Sequence, residues 1–512
     1  MVSLLTANGN RVVCPKLAPP SGEGEHGECV KLVAGWRQMR LAMRNPDVMS
    51  WSRDQWEWVR SLAALLVVIA VTAVVTVAFW PGWMNNHTFG IILDAQHARF
   101  TDWHSAVLIL LWRGLMLLGF RSPGWVLAGS VFTLLTGLYL VLRLYMPRPV
   151  ALIAATLILV FPPILSFAIV LGTDAWLAAS IVCGFGLVAR CTRTRGWSRA
   201  VSAALAVVCA FLAAAARPTA APAVLALMAA LSAILLAPRL RGWWRWSAPA
   251  AGAALSTAAI AGSVLLIQTS IPGAVAAHPE QVTYDQDLIA LSLLEHRVLF
   301  PSELYPRQDL AYLQKYGAVP GGVYSESLLW GWTAAIPVPV EGSRFARLQQ
   351  AWLHAIRTHP EAYLDERLAS ALWQLGIEGD VPQVTYDPPP SYFGGPLVSA
   401  RQQSRLSAYL TIGSRNERLA GWPEHASGPL QRPWMYVLVL AVVAIAATLG
   451  RRPTAIVLAL LAWAVLAYTL EILLLSPEVT YRYTYPAVLS GTLLAVVLAA
   501  RLWQPAVGYV RM

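Results

Sequence analysis

Five polar or ionisable side chains crowd into eleven residues of the segment NNHTFGIILDAQHARFTDWHSA: Asp94, Gln96, His97, Asp102 and His104. A carboxylate beside an imidazole is the equipment of a general base, which takes a proton as a hydroxyl attacks. The same carboxylates suit a hard divalent cation such as Mg or Mn. The plainer reading is a solvated loop whose aspartates cap short helices. A second acid, Asp174, stands alone in the apolar stretch FPPILSFAIVLGTDAWLAAS. It either opens the next helix as an ordinary cap or shares a site with Asp94, as ionisable groups set among apolar runs often do.

Two isolated arginines could complement these acids. Arg217 lies in AAAARPTAAP, and Arg482 in SPEVTYRYTYP beside Tyr481, Tyr483 and Tyr485. The planar guanidinium suits bidentate contact with phosphate; the alternative is headgroup anchoring within an aromatic belt. The candidate catalytic residues are therefore Asp94, Asp174, Asp102 and His104. Gln96, His97, Arg217, Arg482, Tyr481 and Tyr483 are the candidate substrate-binding residues. If a metal is used, Asp94 and Asp174 are the candidate ligands. His278, His296, His354 and His359 lack metal-ligand spacing, and no GxSxG, HExxH, CxxC or P-loop pattern occurs.

The elements that would carry these residues are membrane spans. The chain of 512 residues is 57% hydrophobic and only 13% charged, about half the charge of a soluble domain. Apolar runs long enough to cross a hydrocarbon core of about 30 Å cover 61–80, 124–142, 149–168, 174–190, 200–216, 219–237, 247–268, 434–450, 453–475 and 486–500. The net charge of +11 comes mostly from arginines at the ends of those runs. That is the positive-inside pattern with anchoring to anionic headgroups, and it argues against nucleic acid as a partner.

Charge also settles the topology. The apolar stretch 105–120 contains Arg113 and is short for a span. Left out of the count, it puts the basic clusters at 37–60, 143–148, 190–199, 239–245, 451–452 and 501–511 all on one side. Counted as a span, it would flip every later cluster, and an arginine centred in a lone span costs a few kcal/mol. The stretch reads as a helix along the outer interface. Ten spans with both termini cytoplasmic follow.

The expected divisions are a cytoplasmic tail over 1–60, an N-terminal transmembrane module over 61–268 with outer loop 81–123, and an extracytoplasmic domain over 269–433. C-terminal spans over 434–500 and a short tail over 501–512 complete the chain. The 269–433 segment has no cysteine, so no disulfide framework is implied. Residues 30–44 read as a basic amphipathic helix on the membrane surface or as a floppy tail.

With these segments in place the chain resembles the GT-C superfamily of polytopic glycosyltransferases, which use polyprenyl-phosphate-linked sugars. DAQH (Asp94, Gln96) and TDWHSA (Asp102, His104) are similar to the first-loop motifs of its bacterial members. GTDAW matches a second acidic position, although Thr173 stands where many relatives have Lys. QVTYDQDLIALS at 281–292, WLHAIRTHPEAYLDERL at 352–368 and RYTYP near the last span are also similar. The resemblance implies an all-α membrane fold, a GT-C-like bundle of about ten transmembrane helices with outer-face juxtamembrane helices and a mainly α external domain. It also implies a first-loop aspartate as catalytic base facing outward.

On this reading Asp94 deprotonates an acceptor hydroxyl, which attacks the anomeric carbon with inversion. Polyprenyl phosphate leaves, with Arg482 and Arg217, then Arg113, as the cations that stabilise it. Asp174 and Asp102 would orient the acceptor or a divalent cation, and His104 the loop or the donor phosphate. The expected partners are a polyprenyl-phosphate-linked sugar donor, a lipid, glycan or protein acceptor, and membrane lipids, in a bacterial inner membrane. Two rivals stand beside it. A transporter or flippase would favour midplane polar groups and internal repeats, which the sequence lacks. A non-catalytic envelope scaffold would make Asp94 dispensable.

Overall fold

The computed structural model describes residues 3–5, 11–13, 53–84, 86–271, 277–317, 328–329, 334–378, 430, 432–450, 453–476 and 479–508. Two compact units divide the chain, Met1–Ala63 and Ala64–Met512. The first contains a hairpin of strands Ser3–Leu5 and Arg11–Val13; the other described elements are helical. The basic segment 30–44 and residues 379–429 lie outside the described residues.

Helix α1 (Arg53–Ala78) leads to two short helices, α2 (Asn86–His97) and α3 (Ala106–Leu117). Then come α4 (Gly124–Leu142), α5 (Arg148–Val160), α6 (Pro162–Ala168), α7 (Thr173–Cys191), α8 (Gly196–Ala216), α9 (Ala221–Leu236) and α10 (Trp244–Ser270). A polar helical region follows, with α11 (Gln281–Leu294), α12 (Leu310–Gly317), α13 (Gly342–Thr358) and α14 (Pro360–Gln374). The chain closes with α15 (Pro433–Thr448), α16 (Pro453–Leu475) and α17 (Tyr481–Gly508).

Among the described residues eight helices are long and apolar enough to cross a membrane: Trp56–Ala78, Gly124–Leu142, Thr173–Cys191, Gly196–Ala216, Pro218–Leu236, Trp244–Ser270, Pro453–Leu475 and Tyr481–Leu502. Leu65, Val74, Leu157, Leu255, Leu266 and Ile445 are exposed on them and their neighbours, the apolar exterior of an integral membrane protein. Two of the ten expected spans differ. The 149–168 run is broken into α5 and α6 by a 74° bend, because Pro162 and Pro163 cannot continue the α5 hydrogen bonds. The 434–450 run forms the 16-residue α15, about 24 Å of helix against a core of about 30 Å.

The expected interfacial stretch is the 12-residue α3, short of a crossing. Its arginine has a local use: Arg113 donates to the Ala95 carbonyl at the end of α2, at 3.2 Å, which satisfies a helix C-terminus.

Hydrogen bonds sort the connections into two ends of one bundle. At one end Arg193 donates to the Arg143 and Leu144 carbonyls, Arg199 to Ile234 and Tyr145 to Thr454, and Arg501 lies over the Tyr145 ring. At the other end Gln268 bonds Thr101 and Ala106, Tyr481 donates to Pro163, and Gln374 exchanges two bonds with Thr480. Because Tyr145 is at the first end and Pro163 at the second, the bent α5–α6 pair runs from one end to the other. The most enclosed helix is α7, which the core covers on nearly every side. It carries Asp174 in its first turn.

Candidate functional site

A single backbone junction brings the two acidic segments together. Trp83 donates to Ile169 at 3.0 Å and accepts from Leu171 at 2.9 Å, a parallel bridge centred on Val170. Gly82, at φ +105°, makes the approach possible: a Cβ there would lie 2.8 Å from the Leu171 side chain. The Thr88 hydroxyl then donates to the Leu171 carbonyl at 2.9 Å. So α2 starts from the strip of chain that also launches α7, and Asp94 and Asp174 stand on elements tied at their roots.

On α2, His87, Gly90 and Asp94 fall at i, i+3 and i+7, one face of a helix. The His104 ring lies against that face. A Cβ on Gly90 would come within 2.6 Å of His104 Cε1, so glycine leaves the space the imidazole fills. His104 Nδ1 is 2.6 Å from Asp94 Oδ2. The His87 ring meets the His104 ring edge to face, with centroids 4.7 Å apart. The loop carrying His104 is pinned on both sides: Gln268 donates to Thr101 at 2.8 Å and accepts from Ala106 at 3.0 Å, while Asp102 accepts from the backbone N–H groups of Ala277 and His278.

Asp174 and Arg217 form the second half. The carboxylate binds the guanidinium through both oxygens, one contact being Arg217 Nη2 to Oδ2 at 2.9 Å. Their side chains are only 4% and 19% exposed. Burial pulls the Arg217 guanidinium down, and the Asp174 charge reverses this, so its affinity for the proton ends above the ordinary range. The Tyr483 ring receives both cations: Arg217 and Arg482 each lie 4.7 Å from its centroid, and Arg482 donates to its hydroxyl at 2.9 Å. Tyr468, buried on α16, is within electrostatic reach of Asp174, Arg217 and Arg482.

His87 joins the halves. Burial first, then the charges of His104, Arg482 and Arg217, hold its imidazole well below the usual histidine range, so it stays neutral. His87 thus touches the Asp94–His104 half and lies within electrostatic reach of the arginines of the other half.

The remaining sequence candidates fall elsewhere. Gln96 and His97 are exposed, and His97 Nδ1 meets its own helix at the Leu93 carbonyl. Asp102 anchors the 277–278 backbone. Tyr481 is buried and donates to Pro163 at 2.9 Å, which ties α17 to α6. The acids proposed for a metal have protein partners, Asp174 the Arg217 guanidinium and Asp94 the His104 ring. Among the described residues no group of three His, Cys, Asp or Glu side chains is placed to hold a metal ion.

Three contributors are absent from the sequence candidates. His87 and Gly90 were legible as the helical partners of Asp94, given a helix at 86–97. Tyr468 sits inside the apolar run 453–475 and gave no separate signal. No family model, curated protein or solved structure matches this chain.

Proposed function

We propose that this protein is a membrane glycosyltransferase of GT-C type. It moves a sugar from a polyprenyl-phosphate donor to an acceptor hydroxyl on the extracytoplasmic face of a bacterial inner membrane. The observation that carries the reading is the grouping of a basic centre, Asp94 with His104, and a cationic centre, Arg217 with Arg482, at one end of an apolar bundle, with His87 touching the first and feeling the charge of the second. Glycosyl transfer from a lipid phosphate needs these two functions and little else. A base removes the acceptor proton, and fixed cations receive the charge that develops on the departing phosphate.

The side of the membrane follows from charge. Arg143, Arg190, Arg193, Arg195, Arg199, Arg241 and Arg245 gather at the opposite end of the bundle, in short turns poor in acids, the pattern expected of a cytoplasmic end. Nucleotide sugars are then on the wrong side, and a lipid-borne donor is required. The polyprenyl chain would lie along the apolar exterior of the bundle, with its phosphate at Arg217 and Arg482. Asp174 fixes the Arg217 fork, and His87 stands between base and phosphate where the sugar must pass. The polar α11–α14 region covers this end and is the natural platform for the acceptor.

The test is transfer of a labelled sugar from polyprenyl phosphate in vesicles, comparing the unaltered protein with Asp94→Asn. Loss of transfer with normal expression supports the enzyme. Equal transfer by both proteins, or none by the unaltered protein with any such donor, overturns it.

A further inference from the structure

We propose that the atom taking the acceptor's proton is Nε2 of His104, with Asp94 as the carboxylate that orients the ring and balances its charge. The inference rests on the glycosyl-transfer reading and changes the identity of its base. It starts from the 2.6 Å contact between His104 Nδ1 and Asp94 Oδ2. A carboxylate only accepts hydrogen bonds, so the hydrogen in that contact belongs to Nδ1. A neutral imidazole carries one ring hydrogen, and Nε2 is therefore left with its lone pair. The contact thus selects the tautomer whose basic nitrogen is the one turned away from Asp94.

The surroundings hold this geometry. Gly90 leaves room for the ring against α2, since a Cβ would overlap Cε1 and touch Nε2 at 3.0 Å. Gln268 fixes the backbone on both sides of the loop, and Asp102 ties its centre to residues 277–278. Asp94 and His104 keep 17% and 12% of their side-chain surface open, so the pair is reachable but largely shielded. His87 on α2 meets the ring edge to face and is held neutral, and the cations that act on His87 are Arg482 on α17 and Arg217 before α9. None of them carries a negative charge that could replace Asp94 as the counter-ion of an imidazolium.

The step balances as follows. The acceptor O–H bond breaks and its proton moves to Nε2. The acceptor oxygen forms the new bond to the anomeric carbon as the bond from that carbon to the phosphate oxygen breaks. The bonding pair leaves with the phosphate, whose extra charge meets Arg217 and Arg482. The imidazolium, paired with Asp94, returns its proton to water.

The discriminating variant is His104→Asn. Its side-chain amide can still donate to Asp94, as Nδ1 does, but it has no atom in the place of Nε2. We expect kcat to fall about 100-fold or more with KM changed by no more than about threefold. Added imidazole should restore part of the kcat lost in His104→Ala. In the resting protein, 15N-histidine NMR should find the His104 hydrogen on Nδ1, and Asp94→Asn should move it to Nε2. Wild-type kcat in His104→Asn, or a resting ring protonated on Nε2 alone, overturns this assignment and leaves Asp94 as the base. Absence of transfer in the unaltered protein overturns this assignment and the glycosyltransferase reading together.

Discussion

Arg190, Arg195, Arg241 and Arg245 are exposed at one end of the bundle, beside exposed Trp197, Trp243, Trp244 and Trp246. At the other end Arg217 is enclosed with Asp174, and both Arg217 and Arg482 lie on the face of Tyr483. The residue type is the same and the physical work is opposite. The first set follows a repeated pattern, Arg195-Gly196-Trp197-Ser198-Arg199 and Arg241-Gly242-Trp243-Trp244-Arg245, each opening a span. Such arginines are solvated and read the membrane surface by charge. Arg217 and Arg482 are desolvated and held by specific partners, so their charge acts at close range where water screens it least. The lesson is that enclosure and pairing, rather than arginine content, distinguish the two ends of the bundle, and the enclosed end is the one proposed to carry the chemistry.

The largest expected effect falls on the enclosed pair. Arg217→Ala leaves the Asp174 carboxylate buried without its counter-charge, a loss of about 3–5 kcal/mol for broken buried pairs. Thermal unfolding in detergent should show it, and Asp174→Asn with Arg217→Gln should recover part. A variant as stable as the unaltered protein would mean that the pair is solvated. Next comes Gly90→Ala, which must push the His104 ring off Asp94. It should lower transfer by about 100-fold while the unfolding midpoint moves less than in Arg217→Ala, because the added methyl meets a side-chain ring rather than backbone. Unchanged transfer would show that the ring position is immaterial.

A third comparison lies in the polar helical region, where α11 buries Asp285 and Asp287. Asp287 is held by Arg367 and by Trp352 Nε1 at 2.7 Å. Asp285 is 1% exposed, with no charged group among the described residues to offset its burial, which raises its carboxyl well above the carboxylate range. The folded state therefore binds a proton that the unfolded chain has released above its own pKa. Stability should fall as pH rises from the ordinary carboxylate pKa through the raised one, and level off beyond it. Asp285→Asn should lessen that fall, leaving the part due to Asp287, whose carboxyl burial pushes up to about 7 despite Arg367, and raise the unfolding midpoint at neutral pH. An unfolding profile with the same slope in both proteins would refute the assignment. The smallest effect is expected at the solvated arginines. Arg195→Gln or Arg241→Gln should change stability by no more than about 0.5 kcal/mol and leave transfer intact.

The sequence made the membrane class legible because hydropathy and arginine placement act over whole segments. It also made the status of 105–120 legible, since one arginine and one parity argument decide it, and α3 is indeed too short to cross. The FPP triplet at 161–163 carried its own warning of the bend between α5 and α6, which a hydropathy average smooths over. Asp94, His104, Asp174, Arg217 and Arg482 stood out as charges in unusual places, and the structure sets them in one neighbourhood. What joins them was not legible. The Trp83–Val170 bridge links residues 87 positions apart by backbone atoms, which leave no mark in residue type. Asp102 carried the same signal as Asp94 and serves a different purpose, because the 277–278 backbone that it binds is distant in sequence.

The central claim is that base and cations serve one reaction centre, and a structure determined with polyprenyl phosphate bound tests it most directly. The account predicts the phosphate on Arg217 and Arg482, with its ester oxygen directed toward His87 and His104. A phosphate bound at the Arg195 and Arg241 turns, with the Arg217–Arg482 neighbourhood untouched, would contradict it.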